Sequence, residues 1–373
     1  MNNKEKIDRD FARDVWCIFG LPFDNYSIGD VCKCIDDSII NNYHCLLSTP
    51  NMDWVTISLN DLEFKKEIIS SDICIIDGSP ILWVAYLFGF PIKKKVAGST
   101  LMEYIIANKV DKNYKLFFFG GKKNVAKQAF IAIHNRKKQI KAVGYYCPKY
   151  GSAEEISTAG IINEINKTAP DILLISLGAK KGMSWIKKNI NRLNTKVISH
   201  VGRAIDFIAG TVKRAPSWMQ KVGLEWLWRI MQQPILCGRY LKDGIFLIFL
   251  FITSVIPYMG FLFVNKKYQL ISKSPVIHII DKESKLKIEI AGICNYLNNS
   301  VAKTTFRDSA KQNKDIVIDF SKTEYVDSSF LGTLLLLLKH QKMSHKKLIL
   351  TCPNTKLKKI FKLNMLTNLF DME

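Results

Sequence analysis

A chain of 373 residues has room for two domains or three small ones, and 54 lysines and arginines against 33 acidic residues give it a formal net charge of +21. That balance points to a polyanionic partner, and with no zinc finger, RNA-binding aromatic motif or helix-turn-helix signature we expect no nucleic acid. The remaining candidates are an anionic lipid leaflet and phosphorylated small molecules. The nine cysteines include no CxxC pair, Cys32 and Cys34 being the closest two, so reduced thiols are expected and a metal site is not. The opening residues, MNNKEKIDRDFARD, lack an apolar core for secretion, which predicts a cytoplasmic protein.

From about Val15 to Ser199 short apolar runs alternate with helical patterns. The predicted strands are Cys45–Ser48, Ile73–Ile76, Leu116–Phe119, Ala142–Tyr146, Ile172–Leu177 and Lys196–Ser199, several of them apolar throughout, as strands buried on both faces are. Helical patterns cover Asn124–Lys138 and Ala153–Lys167. This alternation predicts an α/β, Rossmann-like layer around a mostly parallel sheet, whose ligands bind beyond the carboxyl ends of the strands. Four polar stretches fall there: Thr49-Pro50-Asn51, Asp77-Gly78-Ser79-Pro80, Gly120-Gly121-Lys122 and Gly178-Ala179-Lys180-Lys181. Glycines at strand ends let backbone N–H groups approach phosphate oxygens; the plainer alternative for any one of them is a turn. Neither GxGxxG nor a Walker A motif is present, so no nucleotide cofactor is implied.

Between His200 and Pro234, Trp218, Met219, Val222, Trp226 and Ile230 recur at helical spacing beside Lys221 and Arg229. Such a helix either lies at a membrane interface or packs on the α/β core. Ile245 to Val264 then runs twenty residues without a charge, about the length that spans a hydrocarbon core. Basic residues flank both ends, Arg239 and Lys242 before and Lys266 and Lys267 after, and Pro257 and Gly260 lie within. The expectation is a re-entrant or interfacial hairpin over 241–268, held to the cytoplasmic face of the inner membrane as a peripheral or monotopic anchor. Beyond the basic linker Asn265–Pro275, predicted strands Leu286–Ile290, Ile316–Phe320 and Leu348–Thr351 and a leucine-rich helix ending at Lys339 form a second small α/β unit.

The first unit, taken as 1–240, resembles the WecG/TagA/CpsF glycosyltransferases. The resemblance rests on Val201-Gly202, Asp206-Phe207, Ala209-Gly210, Arg214-Ala215-Pro216, Trp218-Met219 and Gly223-Leu224-Glu225-Trp226-Leu227 with Arg229. Upstream, Thr49-Pro50-Asn51, Asp77-Gly78, Gly98 and Gly120-Gly121-Lys122 follow in the same order. It implies a metal-independent, inverting transfer of a sugar from a UDP-sugar to a polyprenyl-diphosphate-linked sugar at the cytoplasmic leaflet, in cell-surface polysaccharide synthesis. Asp77 then corresponds to the general base, and Thr49 and Asn51 to residues that orient substrate. Lys95, where relatives carry arginine, Gly120, Gly121, Lys122, Gly178, Arg214 and Arg229 fall at substrate-binding positions. The chain departs from the usual Pro-Lys-Gln-Glu after the fifth strand: the glutamine and glutamate positions hold Gly182 and Met183. That leaves a second reading open, a decayed transferase acting as a membrane adaptor.

The second unit, 275–373, resembles a STAS domain through Asp327-Ser328-Ser329-Phe330-Leu331-Gly332. The resemblance implies a regulatory or docking module with its own partner protein and a phosphorylation site at Ser329; the plainer alternative is that Ser328 or Ser329 caps the helix.

Overall fold

The computed structural model describes residues 3–92, 96–107, 113–136, 140–351 and 353–372. Its strands, in chain order, are β1 (Val15–Ile18), β2 (Leu21–Asp24), β3 (Cys45–Ser48), β4 (Ile73–Cys74), β5 (Lys115–Gly120), β6 (Lys141–Tyr146), β7 (Ile172–Ser176) and β8 (Val197–His200) in the first unit. The second contains β9 (Val276–Asp281), β10 (Lys285–Cys294), β11 (Asp315–Asp319), β12 (Thr323–Val326), β13 (Leu348–Thr351) and β14 (Asp371–Met372).

The main sheet is parallel throughout, in the order β4-β3-β8-β7-β5-β6. Its inner strands are buried on both faces, as their unbroken apolar runs predict. Leu46, Phe117, Phe119, Leu173 and Ile175 point into one core, while Cys45, Leu47, Leu116, Phe118 and Leu174 point into the other. The chain order reverses at the middle of this sheet, which opens a crevice above the carboxyl ends of β3, β7 and β8. Helix Ala159–Lys167 starts later than the periodicity suggests, because the Thr158 side chain accepts from Ile161 N and sets the first turn. The predicted helix over Asn124–Lys138 is seen as Val125–His134, and Lys138 lies outside the described residues.

The expected hairpin at Pro257 does not form. From Pro234 to Val264 the chain is one helical run, with a π-helical stretch, Phe251–Val255, before the helix Ile256–Val264. Pro257 sits in the first turn of that last helix, where the missing N–H is tolerated, so it ends nothing. Leu250, Val255, Tyr258 and Phe261 are buried on the protein side, whereas Ile245, Ile248, Ile252 and Ile256 are exposed on the other. The tryptophan pattern divides into two helices, Ser217–Val222 and Glu225–Gln232, because Gly223 takes a left-handed conformation (φ 80°) between them. Trp218 and Trp226 are exposed and Met219 is buried.

The C-terminal unit has its own sheet, in the order β12-β10-β11-β13-β14 with β9 antiparallel on β10. It nevertheless shares one core with the first unit. Helix Ser328–Met343 is buried from Ser328 to Gln341. One side meets its own sheet and the other meets the β1–β2 hairpin, close enough that a Cβ on Gly332 would lie 2.2 Å from the carbonyl oxygen of Val15. Asp327 caps this helix, its carboxylate accepting from the amides of Ser329 and Phe330. Ser328 donates to the carbonyl of Cys17, and the fully buried Ser329 donates to Asp327 at 2.8 Å. Neither serine is the cap, and Ser329, expected to be open to phosphorylation, is enclosed between the units.

Candidate active site

The strand β4 and its continuation run beside β3 through Asp72 N to Leu46 O (2.9 Å), Ile75 N to Ser48 O (3.0 Å) and Asp77 N to Pro50 O (3.0 Å). This ladder sets Asp77 next to the Thr49-Pro50-Asn51 turn. Gly78 follows with φ 124°, a conformation closed to other residues, and swings the chain into helix Ser79–Leu87. Asn51 caps helix Met52–Asn60 by accepting from Trp54 N at 3.2 Å, and Thr49 Oγ1 donates to the carbonyl of His200 at 3.3 Å. At the far side Gly120 (φ 94°) lets the chain cross β7 so closely that a Cβ would lie 2.6 Å from Ser176 O.

Above these strand ends opens a polar cavity of about 1000 Å³. Thr49, Asn51, Asp77, Gly121, Lys122, Gly178 and Arg229 line it, so most of the residues expected from sequence do converge. Gly120 supports the wall from beneath. Arg214 stands outside: it pairs with Glu103 and donates to Thr100 Oγ1 at 3.1 Å, tying its loop to helix Gly98–Ile106. Lys95 lies outside the described residues. The walls also contain Lys181, from the Gly178-Ala179-Lys180-Lys181 stretch, and residues that carried no signal in sequence, among them Asp53, His200 and Arg203. Arg239, which flanks the apolar segment in sequence, lines the cavity as well.

Positive charge dominates the inner wall. Burial and the neighbouring Arg239 and Arg229 guanidiniums push Arg203 below its usual value, the mark of cations crowded without enough anion. Asp206, beside them, is raised by its burial, which outweighs Arg203, Lys122 and Arg229. A multiply charged anion would relieve this crowding. His200 is buried, edge-on to Trp54 with ring centroids 4.9 Å apart, and burial pushes it down to about 4, so it is a neutral imidazole near pH 7.

A second, apolar groove of about 400 Å³ adjoins the first. Pro80, Trp83, Trp226, Tyr240 and Leu247 line it, and it leads from Asp77 to the exposed faces of helix Glu225–Gln232 and of the long apolar helix. Asn51, Asp53, Asp77, Arg229 and Arg239 belong to both cavities. Asp243, on the long helix, also faces the groove; burial and the nearby Asp53 push its carboxyl up to about 6. Asp77 therefore stands where a polar chamber and an apolar channel meet.

Residues 16–258 match the model of the glycosyl transferase WecG/TagA/CpsF family, and residues 278–373 match that of the STAS domain. Among curated relatives, an N-acetylglucosaminyldiphosphoundecaprenol N-acetyl-beta-D-mannosaminyltransferase of Bacillus subtilis (strain 168) is 25% identical over 219 residues, 58% of this chain and 83% of that protein. Proteins of the same name from Bacillus spizizenii (24% identical, 54% and 76% of the two chains) and Staphylococcus aureus strain MRSA252 (22%, 62% and 89%) are similar too.

Proposed function

The chain belongs to the glycosyl transferase WecG/TagA/CpsF family, and from that premise we propose that it transfers a sugar from a UDP-sugar to a polyprenyl-diphosphate-linked sugar in the assembly of a cell-surface polymer. The observation that carries the reading is the shared wall: one polar, cationic chamber and one apolar channel meet at Asp77. The chamber suits a nucleotide diphosphate-sugar, and the channel suits the apolar end of a lipid-linked acceptor arriving from the membrane. The relatives are named for an acceptor of that type, N-acetylglucosaminyldiphosphoundecaprenol.

In this reading the acceptor hydroxyl attacks the anomeric carbon of the donor while Asp77 takes its proton. The bond from that carbon to the diphosphate oxygen breaks on the opposite face, so the anomeric configuration inverts and UDP leaves. The charge released on the diphosphate is offset by Lys122, Arg203, Arg229 and Arg239 and by the amide of Gly121 at the turn after β5. Thr49 and Asn51 hold the turn that orients substrate beside Asp77.

The long helix is proposed to lie on the cytoplasmic leaflet. Leu250, Val255, Tyr258 and Phe261 fasten its inner face to the protein along its length, and its outer face is apolar. A helix fastened that way sinks one side into the lipid and leaves both units on the same side, in agreement with basic residues at both ends.

The test is transfer by the purified chain in detergent, from a panel of UDP-sugars to undecaprenyl-diphosphate-linked N-acetylglucosamine. A lipid-linked disaccharide with inverted anomeric configuration supports the reading; hydrolysis alone, or no reaction with any donor, sinks it.

A further inference from the structure

The STAS unit reaches the catalytic strand through one buried side chain. Lys339 lies on helix Ser328–Met343 within the part buried as far as Gln341, and its side chain is 0% exposed. Its Nζ lies 2.9 Å from Asp10 Oδ2 and 2.9 Å from Asp72 Oδ1, and it donates to the carbonyl of Ser71 at 3.0 Å. Asp72 in turn accepts from Leu46 N at 2.9 Å through its other oxygen, which joins β4 to β3 where the strand begins. Five residues further along that strand stands Asp77.

The outer edge of β4 is held from the same network. Cys74 N donates at 2.7 Å to Asp24 on β2, and Arg13 grips Asp24 by two bonds of 2.7 Å while bonding Asp10 at 2.9 Å. Edge strands usually leave such amides to water; here a carboxylate inside the shared core fixes them. His340 Nε2 adds a contact to Asp10 at 2.8 Å. Burial alone would favour protonated carboxyls, yet Lys339, His340 and Arg13 keep Asp10 well below the usual range, and Lys339 and Lys6 do the same for Asp72. The charges are thus matched to one another, and the match needs a residue from the STAS unit.

We propose that Lys339 is a positioning residue for Asp77, so that the seating of the STAS unit sets the rate of sugar transfer. This rests on Asp77 being the general base, as argued above. A free docking module would keep its helix face open to a partner, but here that face is occupied by the chain's own β1–β2 hairpin and by Asp10 and Asp72. Among the described strands β4 pairs in the sheet with β3, and the ladder from Asp72 N to Asp77 N runs along β3 to Pro50 O, so its register is tied to where Asp72 is held. Catalytic geometry is sensitive to displacements of about 1 Å, even when they originate far from the reacting atoms.

The experiment has two arms. In the first, Lys339→Met and Lys339→Arg are compared with wild type in the transfer assay, their fold checked by circular dichroism and melting. Lys6 and Arg13 remain to balance Asp72 and Asp10 in the variant. The expected result for Lys339→Met is a fall in kcat of at least tenfold with the donor KM within twofold, substantially restored by Lys339→Arg. A folded Lys339→Met with unchanged kcat overturns the proposal. The second arm uses wild-type protein, so it decides alone if Lys339→Met does not fold. In native-state hydrogen exchange at low denaturant, the amides of Asp72, Ile75 and Asp77, which bond β3 and Pro50, should open together with those of helix Ser328–Met343, as one unit. Opening of Asp72–Asp77 independently of that helix overturns it. If wild type binds UDP but transfers nothing, the functional reading fails and the exchange arm still tests the coupling.

Discussion

The imidazole of His200 occupies the space that a side chain at position 182 would need: a Cβ on Gly182 would lie 2.2 Å from His200 Cδ2 and 2.3 Å from Nε2. The ring is fixed there by Leu177 O, 3.1 Å from Nε2, and it forms part of the polar cavity wall. A glycine at position 182 therefore leaves the room in the cavity wall that the His200 ring from β8 takes up.

Gly182→Ala should reduce transfer strongly, about tenfold or more, because the neighbouring ring must move out of its place in the wall. His200→Ala should cost less in the Gly182→Ala background than in wild type, since the clash is then absent. Additive losses in the double variant, measured as kcat/KM, would show that the two positions do not act as a pair.

The same histidine predicts a pH effect on stability. Its folded value, about 4, lies below the 6.5 of an unfolded histidine, so the unfolded chain binds the proton first. The contribution is complete above pH 6.5 and is lost as pH falls from 6.5 to 4, by up to about 3 kcal/mol. His200→Asn should show a smaller drop in melting temperature between pH 7.5 and pH 4.5 than wild type does. Equal drops would mean that His200 is not buried as a neutral ring.

Arg239 and Arg229 stand in the wall common to chamber and channel, and Arg239 comes from the long apolar helix. Replacing Arg239 by Ala should weaken binding of a diphosphate-bearing substrate by roughly 10- to 100-fold, the range for one charged hydrogen bond. Separate KM values for donor and acceptor will say which diphosphate it serves. No change in either would remove it from the site.

Ile248→Glu together with Ile252→Glu puts two charges on the exposed face of the long helix without touching its packed side. Flotation with vesicles containing anionic lipid should fall at least tenfold while soluble-state melting stays the same. Undiminished flotation would place the membrane contact elsewhere on the chain.

Much of this was legible in the sequence, for particular reasons. The apolar runs of β3, β5, β7 and β8 mark strands buried on both faces, and the turn residues that follow three of them, Thr49, Gly121 and Gly178, line the cavity. The β1–β2 hairpin was not legible, because its turn uses Phe19 at φ 52° before Gly20, an unusual residue in a left-handed position. The continuous helix through Pro257 was hidden because a proline reads as a break unless the preceding π-helical stretch is known. The leucine run 334–338 did signal a helix apolar on all sides, but what covers it comes from residues more than 300 positions away, such as Val15 and Cys17. His200, Arg203 and Asp53 reach the site from separate elements, and only the folded sheet brings them together.

The central claim is that Asp77 is the base at the junction of the two cavities, and one measurement tests it most directly. Asp77→Asn should be compared with wild type for transfer to undecaprenyl-diphosphate-linked N-acetylglucosamine, with UDP binding measured on the same samples. The account predicts a fall in kcat on the order of 100-fold or more, as expected when a general base is lost, with UDP affinity within about threefold of wild type. Normal turnover by Asp77→Asn would contradict it.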